Sequence, residues 1–233
     1  MLLASEGLTK VYKIGELGTP ALNGVSLNME EGEFVVALGP SGSGKTTLLN
    51  ILGGLDTADE GQLIWNGEDI SKYSQKELTL FRRKNIGFVF QGYSLLPNLT
   101  VKENVESGAR LSVNPLNIHE IINTVGLSDK INKFPYQLSG GEQQRVSVAR
   151  AVVKNPKILF CDEPTGALDE KSGKMVLSML QGINRKTNTT IFLITHNHGI
   201  ADMANKVITM NSGRIIDTAV NLHLTDAENV RWA

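Results

Sequence analysis

The apolar positions of the chain fall into short segments whose spacing predicts strands. Residues 2–12 and 21–29 alternate apolar and polar side chains, and this period of two is typical of strands with one solvent-facing side. Residues 34–38, 157–161 and 190–194 are continuous apolar runs, which indicate strands that are covered on both faces. We therefore expect a buried sheet and, towards the N-terminus, strands that are half exposed.

Helical periodicity predicts the elements between these strands. We expect a helix after the glycine-rich segment 39–44, a polar amphipathic helix over 75–84 and a longer helix from about 170 to 185. Helical patterns dominate between residues 92 and 154, and we interpret this part as an insertion. Residues 206–216 have the pattern of a hairpin with an Asn-Ser-Gly turn.

The alternation of strands and helices predicts an α/β fold with a mainly parallel sheet flanked by helices. Because ligands bind at the carboxyl ends of the strands in such sheets, chemical motifs should directly follow the buried strands. We interpret the chain as one domain over 1–233, made of a core with its β subdomain at 1–91 and 155–220, a helical part at 92–154 and a C-terminal tail at 221–233.

The composition disfavours several classes of protein. The 23 Lys and Arg against 24 Asp and Glu leave no basic excess, so we expect no nucleic-acid partner. The single cysteine, Cys161, excludes an internal disulfide framework, and we expect it to be a packed core thiol. No signal peptide is evident, and the apolar runs of four or five residues are far shorter than the roughly 20 that a membrane helix needs. Any membrane role is expected to come through a partner chain.

A phosphate-binding loop follows the first buried strand. Residues 39–46 read GPSGSGKT, which matches the G-x-x-x-x-G-K-[ST] pattern between a strand and a helix. Its glycines let backbone N–H groups converge on phosphate oxygens, and the following helix adds its positive dipole end. Lys45 should reach the β- and γ-phosphates and Thr46 should bind Mg²⁺, whereas the alternative, a glycine turn without a ligand, is disfavoured by the Lys-Thr pair. The predicted ATP-binding residues here are Gly39, Pro40, Ser41, Gly42, Ser43, Gly44, Lys45, Thr46 and Thr47.

Two carboxylates end the second buried run. Ile158–Glu163 reads ILFCDE, and because a charge buried within the sheet is costly without a partner, both acids should lie at the strand end and face the ligand. Asp162 is predicted to hold Mg²⁺, directly or through water, and Glu163 to orient and deprotonate the attacking water. A solvated acidic turn is the alternative, and the phosphate loop makes it the weaker interpretation.

A second helix entrance has the character of an anion site. Leu138–Glu142 reads LSGGE, in which Ser139 and Glu142 form a capping-box pattern. Gly140 and Gly141 leave the helix entrance bare, and a bare entrance attracts phosphate. Ser139 acting only as a helix cap is the alternative. The chain carries one Lys-Thr pair and one acidic pair, so if both helix ends serve one nucleotide they come from different subunits.

Together these motifs resemble the ABC-type ATPase family over nearly the whole chain. LSGGE is similar to the signature sequence of the family, GPSGSGKT to its Walker A motif and ILFCDE to its Walker B motif. Gln91 in GFVFQ resembles the Q-loop glutamine, residues 166–169 (GALD) resemble the D-loop, and His196 resembles the switch histidine. Tyr12 lies where the family places an aromatic side chain that stacks on adenine.

The resemblance implies the ABC ATPase fold, with a P-loop NTPase core, an N-terminal antiparallel β subdomain and an inserted helical subdomain. It also implies ATP hydrolysis with Mg²⁺ in a dimer, each nucleotide lying between the Walker A motif of one copy and the signature of the other. The implied roles are catalysis by Glu163, His196 and Gln91, a Mg²⁺ site of Thr46, Gln91 and Asp162, ATP contacts in trans by Ser139, Gly140, Gly141 and Glu142, and communication across the dimer by Asp169.

Residues 48–56, 81–91, 95–105 and 162–169 further resemble the macrolide-export and lipoprotein-release group, of the MacB and LolD type. This implies a homodimer, or a paired ATPase subunit, that drives an integral membrane permease from the cytoplasmic face of the plasma membrane, with an extracytoplasmic adaptor as a further partner. The alternatives are a regulatory ATPase that signals through a permease-like partner to cell-wall enzymes, and a solute importer ATPase. A DNA-acting relative is disfavoured because sustained heptads are lacking, and a translation-associated one because those usually carry two ATPase domains.

Overall fold

The computed structural model describes residues 1–15 and 17–232 and contains two sheets. The strands are β1 (Leu3–Ile14), β2 (Leu17–Met29), β3 (Phe34–Leu38), β4 (Glu60–Trp65), β5 (Glu68–Asp69), β6 (Ile86–Phe90), β7 (Ile158–Asp162), β8 (Thr190–Thr195), β9 (Lys206–Asn211) and β10 (Arg214–Val220). The helices are α1 (Lys45–Leu52), α2 (Gln75–Asn85), α3 (Val101–Ala109), α4 (Ile118–Thr124), α5 (Gly140–Val152) and α6 (Glu170–Thr187).

The central sheet has the strand order β10-β9-β3-β8-β7-β6. Neighbouring strands from β9 to β6 are parallel, and β10 forms the predicted hairpin with β9. The apolar sequences of β3 and β8 are buried along their whole length, as expected for strands with helices on both sides. The prediction of an α/β fold with a mainly parallel sheet is therefore confirmed.

Strand β6 was not predicted. It begins at Ile86, directly after the last residue of α2, so no turn residues mark the change from helix to strand. In the structure it pairs with β7, with Phe90 opposite Asp162, and this pairing brings the residue after Phe90 to the same sheet edge as the acidic pair.

The second sheet is antiparallel, with the order β2-β1-β4-β5. Apolar side chains from β1, β2 and β4 pack with those of α1 and with one face of the central sheet, forming a continuous core that includes Leu8, Leu22 and Phe192. This confirms the antiparallel β subdomain near the N-terminus. It also fixes α1, and therefore the loop before it, against the central sheet.

Helices α3, α4 and α5 lie between β6 and β7 in the chain and share a small core of their own, which includes Val105, Ile122 and Val146. Serine or threonine caps start α2, α3 and α5, and in each case a glutamate three residues later bonds back to the capping residue. The sequence pattern at Ser139 therefore marks a real helix start. On the other side of the central sheet, α5 and α6 cover β3, β7 and β8.

The C-terminal residues pack on α6 although they have a polar sequence. Ala227 and Val230 are buried, and the backbone N–H of Ala227 donates to Gln181 of α6. A Cβ atom on Gly173 would lie 2.0 Å from the Trp232 ring, so this ring rests directly on the helix. Within the described residues, no helix combines the length and apolar character needed to cross a membrane.

Candidate nucleotide-binding site

A cleft of about 510 Å³ opens where β3, β6, β7 and β8 end. Its lining consists of Tyr12, Thr19, Pro20, Ala21, Ser41, Gly42, Ser43, Gly44, Lys45, Thr46, Thr47, Gln91, Asp162, Glu163, Ile194 and His196. The structure thus brings together residues 41–47 of the phosphate loop and the acidic pair. It adds Tyr12, Gln91 and His196, which the motifs alone could not place in one site. Among the predicted site residues in the described part of the chain, Gly39, Pro40, Ser139–Glu142 and Asp169 do not line this cleft.

The phosphate loop has a backbone that requires glycine at two positions. Gly39 has φ 152°, and a Cβ atom there would lie 2.3 Å from the Met210 carbonyl oxygen. Gly44 has φ 99°, and a Cβ atom there would lie 2.4 Å from the Ala21 carbonyl oxygen. Both glycines therefore allow the loop to pack closely against β2 and β9.

Lys45, the first residue of α1, is buried and closes the phosphate loop on itself. Its Nζ atom donates to the carbonyl oxygens of Gly39 at 2.7 Å and Pro40 at 2.9 Å. Burial lowers the pKa of Lys45, while the charges of Glu163 and Asp162 oppose this shift. The ammonium group is thus held in position at the cleft, where phosphate oxygens would provide stronger acceptors.

Thr46 and Asp162 form an oxygen-rich corner of the cleft. The Thr46 hydroxyl donates to Asp162 Oδ1 at 3.3 Å. Burial raises the pKa of Asp162, and the Glu163 charge adds to the rise, whereas the bond from Thr46 and the charge of Lys45 oppose it. A hydroxyl next to one carboxylate fits Mg²⁺, which takes oxygen ligands and often binds through one or two carboxylates together with substrate phosphates.

Glu163 follows β7 in a left-handed backbone conformation, with φ 47°, which is uncommon for a residue other than glycine. Its Oε1 atom lies 3.0 Å from Nδ1 of His196, which follows β8. Its Oε2 atom is buried, and among the described residues it has no hydrogen-bond partner. A buried acceptor of this kind needs a partner, and a water molecule in the cleft is the natural one.

Gln91 reaches the cleft because it directly follows β6. A Cβ atom on Gly166 would lie 2.9 Å from Gln91 Nε2, so the segment after Glu163 packs closely against the Gln91 side chain. The sequence suggested Gln91 only through the family resemblance. The signal that could have placed it independently was the apolar run 86–90, whose end coincides with the end of β7.

Tyr12 stands at the outer end of the cleft with 41% of its surface exposed. Its hydroxyl donates to Asp56 Oδ2 at 2.8 Å, and Asp56 Oδ1 accepts from Lys10 at 2.9 Å. Sequence reasoning missed the roles of Asp56 and Lys10, because Asp56 is 44 residues away from Tyr12 and no pattern in the sequence links the two. The two partners hold the ring as an exposed platform next to the phosphate loop.

The LSGGE segment lies at the start of α5 in the predicted capping arrangement. Glu142 accepts from the backbone N–H of Ser139 at 2.8 Å, and its carboxylate also pairs with Lys130. Gly140 and Gly141 form the first turn of the helix. Asp169 likewise caps α6, accepting from the backbone N–H of Ser172 at 2.9 Å. Both helix starts belong to surfaces outside the cleft of the same chain.

Residues 22–166 match the family described as ABC transporter. The chain is 45% identical over 93% of its length to an uncharacterized ABC transporter ATP-binding protein of Methanocaldococcus jannaschii, of which it covers 98%. It is also 45% identical to the ABC transporter ATP-binding protein MG065 homolog of Mycoplasma pneumoniae, and it spans half the length of that relative. The macrolide export ATP-binding/permease protein MacB of Marinobacter nauticus is 42% identical, and the chain covers 34% of it.

Solved structures give the same result for the fold. The dimeric post-hydrolysis ATP-binding cassette MJ0796, bound to ADP and Pi, superposes with a TM-score of 0.86 at 38% identity, covering 94% of this chain and 98% of that one. CbiO1 of Clostridium perfringens, described as part of the transporter complex cbiONQ, superposes with a TM-score of 0.82 at 29% identity, covering 94% of this chain and 88% of that one.

Proposed function

The chain belongs to the ABC transporter family and is an ATPase cassette of it, and from this premise we propose that it powers a separate membrane permease. The observation that carries the proposal is the composition of the cleft. Lys45, Asp162, Glu163 and His196 line one cavity, while the helix start at Ser139 lies elsewhere on the chain. One copy therefore supplies a phosphate site and, separately, a second anion-seeking helix end.

ATP in this cleft would be bound by the amides of the phosphate loop and by Lys45, with the base on the Tyr12 ring. Mg²⁺ held by Thr46, Asp162 and Gln91 would neutralise charge on the β- and γ-phosphates. Phosphoryl transfer leaves little covalent work to a protein, so catalysis here would consist mainly of positioning and charge stabilisation.

Glu163 would act as the base. As the oxygen of the attacking water bonds to the γ-phosphorus, its proton passes to Glu163, and the bond from phosphorus to the ADP oxygen breaks. Two observations support this role: one carboxylate oxygen is already held by His196, and the other is buried without a protein partner among the described residues. His196 would also contact the γ-phosphate, since most of its side chain is exposed to the cleft.

Hydrolysis would require two copies arranged head to tail. The start of α5, Ser139–Glu142, would cover the γ-phosphate that is bound in the partner's cleft, and Asp169 would lie near the same junction. The helix start offers N–H groups and the positive end of the helix dipole to that phosphate. Support comes from its absence from the cleft of its own chain and from the dimeric state of the related cassette MJ0796.

The ATPase subunit would bind its permease at the cytoplasmic face of the plasma membrane and would drive an export or mechanotransmission system. The similarity to macrolide export proteins named MacB supports this direction. An extracytoplasmic adaptor would be a further partner. Purifying the complete assembly and identifying the permease tests this part, since a permease with a long external domain that binds a cell-wall hydrolase would indicate the signalling alternative.

Mixed dimers test the shared site directly. Lys45→Ala removes the phosphate contact of a copy's own cleft, and Ser139→Arg blocks the helix start that it offers to the partner. Each variant alone should be inactive as a homodimer. A mixture of the two contains one intact site, so it should recover up to about half of the wild-type rate per mixed dimer. No recovery on mixing would contradict a site made by two copies.

A further inference from the structure

The segment that follows Gln91 has an unusual backbone. Tyr93 has φ 57° and Ser94 has φ 50°, so two consecutive residues other than glycine adopt the left-handed conformation. Such residues persist where the surrounding structure holds them. Because Gln91 lies only two residues before Tyr93, whatever holds this segment also sets where the Gln91 side chain points.

Arg150 of α5 is the residue that holds it. Its Nη1 atom donates to the Ser94 carbonyl oxygen at 2.7 Å, and its Nη2 atom donates to the Tyr93 carbonyl oxygen at 3.2 Å. The planar guanidinium group can bond both carbonyls at once with little loss of freedom, which an ammonium group cannot do in the same way. The backbone of Arg150 is itself fixed, since a Cβ atom on Gly108 of α3 would lie 2.2 Å from its carbonyl oxygen.

The same segment also touches the opposite end of α5. A Cβ atom on Gly140 would lie 2.7 Å from the Tyr93 hydroxyl oxygen, so the Tyr93 side chain rests against the first residue of the helix. Arg150 is in the last turn of α5 and Gly140 in the first. The segment 91–94 is therefore connected to both ends of the helix that presents Ser139.

We infer that Arg150 is a positioning residue for Gln91 and acts through the carbonyls of Tyr93 and Ser94. This inference rests on the proposed function, in which Gln91 serves Mg²⁺ and the nucleotide in the cleft of its own copy.

The test compares Arg150→Gln with Arg145→Gln. Arg145 also lies on α5 and also donates to a backbone carbonyl, but to that of Val125, at 2.8 Å, and not to the segment after Gln91. In Arg150→Gln we expect kcat to fall between about 10-fold and 100-fold, as for a misplaced catalytic group. The Mg²⁺ concentration for half-maximal activity should rise, ATP binding without Mg²⁺ should stay unchanged, and hydrogen exchange of the Tyr93 and Ser94 amides should accelerate. Arg145→Gln should leave all four quantities near wild type.

Mixed dimers test in which cleft the effect arises. A partner carrying Lys45→Ala leaves one working cleft per dimer, and Arg150→Gln is then placed either in the copy with the working cleft or in the Lys45→Ala copy. The first placement should lower kcat. A loss confined to the second placement would overturn the positioning of Gln91.

An unchanged Mg²⁺ requirement in Arg150→Gln, or equal losses in Arg150→Gln and Arg145→Gln, would also overturn the inference. If Arg150→Gln does not fold, Arg150→Lys carries the same comparison, because it keeps the charge and loses the double contact. Inactivity of wild type under all Mg²⁺ concentrations is a different result, since it would refute the proposed ATPase motor itself together with everything that rests on it.

Discussion

Glu163 and His196 are in contact, with Oε1 and Nδ1 separated by 3.0 Å, although the two residues are 33 positions apart in the chain. The contact exists because β7 and β8 are parallel neighbours whose ends coincide at the edge of the sheet. Glu163 keeps its side chain over this edge through a left-handed backbone, and 18% of that side chain is exposed against 71% for His196. The acid is thus enclosed and oriented, while the imidazole faces the open cleft.

Replacing Glu163 by Gln should lower the rate of ATP hydrolysis by about 10²-fold to 10⁴-fold, because the amide cannot accept the proton of the attacking water. ATP binding should persist, and an ATP-bound dimer should accumulate. Single-turnover hydrolysis and light scattering after gel filtration measure both effects. Glu170→Gln, a change of the same type at an exposed helix start, is the control. Normal turnover in Glu163→Gln would remove this residue from the role of base.

Replacing Lys45 by Ala should weaken ATP binding by about 100-fold or more, because the variant loses a charged donor to the phosphates. Isothermal titration calorimetry measures the affinity. Lys157→Ala is a suitable control, since that lysine is 60% exposed and pairs with Glu31 away from the cleft. Equal affinities of the two variants would show that the loop does not bind phosphate through Lys45.

As the pH falls, the Mg²⁺-dependent part of nucleotide binding should weaken, and it should do so at a higher pH than it would if Asp162 had the pKa of an ordinary aspartate. Burial raises the pKa of Asp162, so the carboxylate takes up its proton early, and a protonated carboxyl is a poor Mg²⁺ ligand. Affinities measured with and without Mg²⁺ across the acid range isolate this effect. Asp162→Asn should abolish the difference, and a difference that persists in the variant would assign the Mg²⁺ dependence to other ligands.

The stability of the nucleotide-free chain should change in the opposite direction. A raised pKa in the folded state means that the folded chain binds more protons than the unfolded one in that window. The contribution of Asp162 is therefore fully present below its unfolded pKa and is lost as the pH rises through the folded pKa. Urea unfolding of wild type and Asp162→Asn should show the gap between them widening in favour of the variant as the pH rises.

Two glycines of α6 should respond differently to alanine. Gly182 has open space around it, so Gly182→Ala should raise the free energy of unfolding by about 0.5–1 kcal/mol through helix propensity. At Gly173 the new methyl group would displace the Trp232 ring, so this gain should be lost. Tryptophan emission should shift to the red in Gly173→Ala and stay unchanged in Gly182→Ala. Unchanged emission in Gly173→Ala would place Trp232 away from Gly173.

The sequence predicted the parts of the fold in which the hydrophobic periodicity and the positions of the turn residues agree. The buried runs of β3, β7 and β8 and the loop before α1 are of this kind, because each carries a local signal that tertiary packing does not reverse. Strand β6 was missed because it joins α2 without turn residues, although its pairing with β7 is what delivers Gln91 to the cleft.

Contacts between distant positions could not be predicted in this way. The hydroxyl of Tyr12 is held by Asp56, and the carbonyls after Gln91 are held by Arg150, yet no sequence pattern connects either pair. Such contacts depend on how the sheets and helices pack, which a single sequence does not specify. The family resemblance named Gln91, Tyr12 and His196, but only the folded chain shows what fixes them.

The two carbonyl oxygens that hold Lys45 have a consequence for affinity. The Lys45 ammonium group has good acceptors in the carbonyl oxygens of Gly39 and Pro40, so a triphosphate that binds Lys45 would exchange these bonds for its own. The net gain in binding free energy would be smaller than the number of phosphate contacts suggests. When the products leave, Lys45 can form its bonds with the two carbonyl oxygens again. A protein that must empty its cleft in every cycle benefits from this arrangement, since binding stays reversible while the charge remains in place.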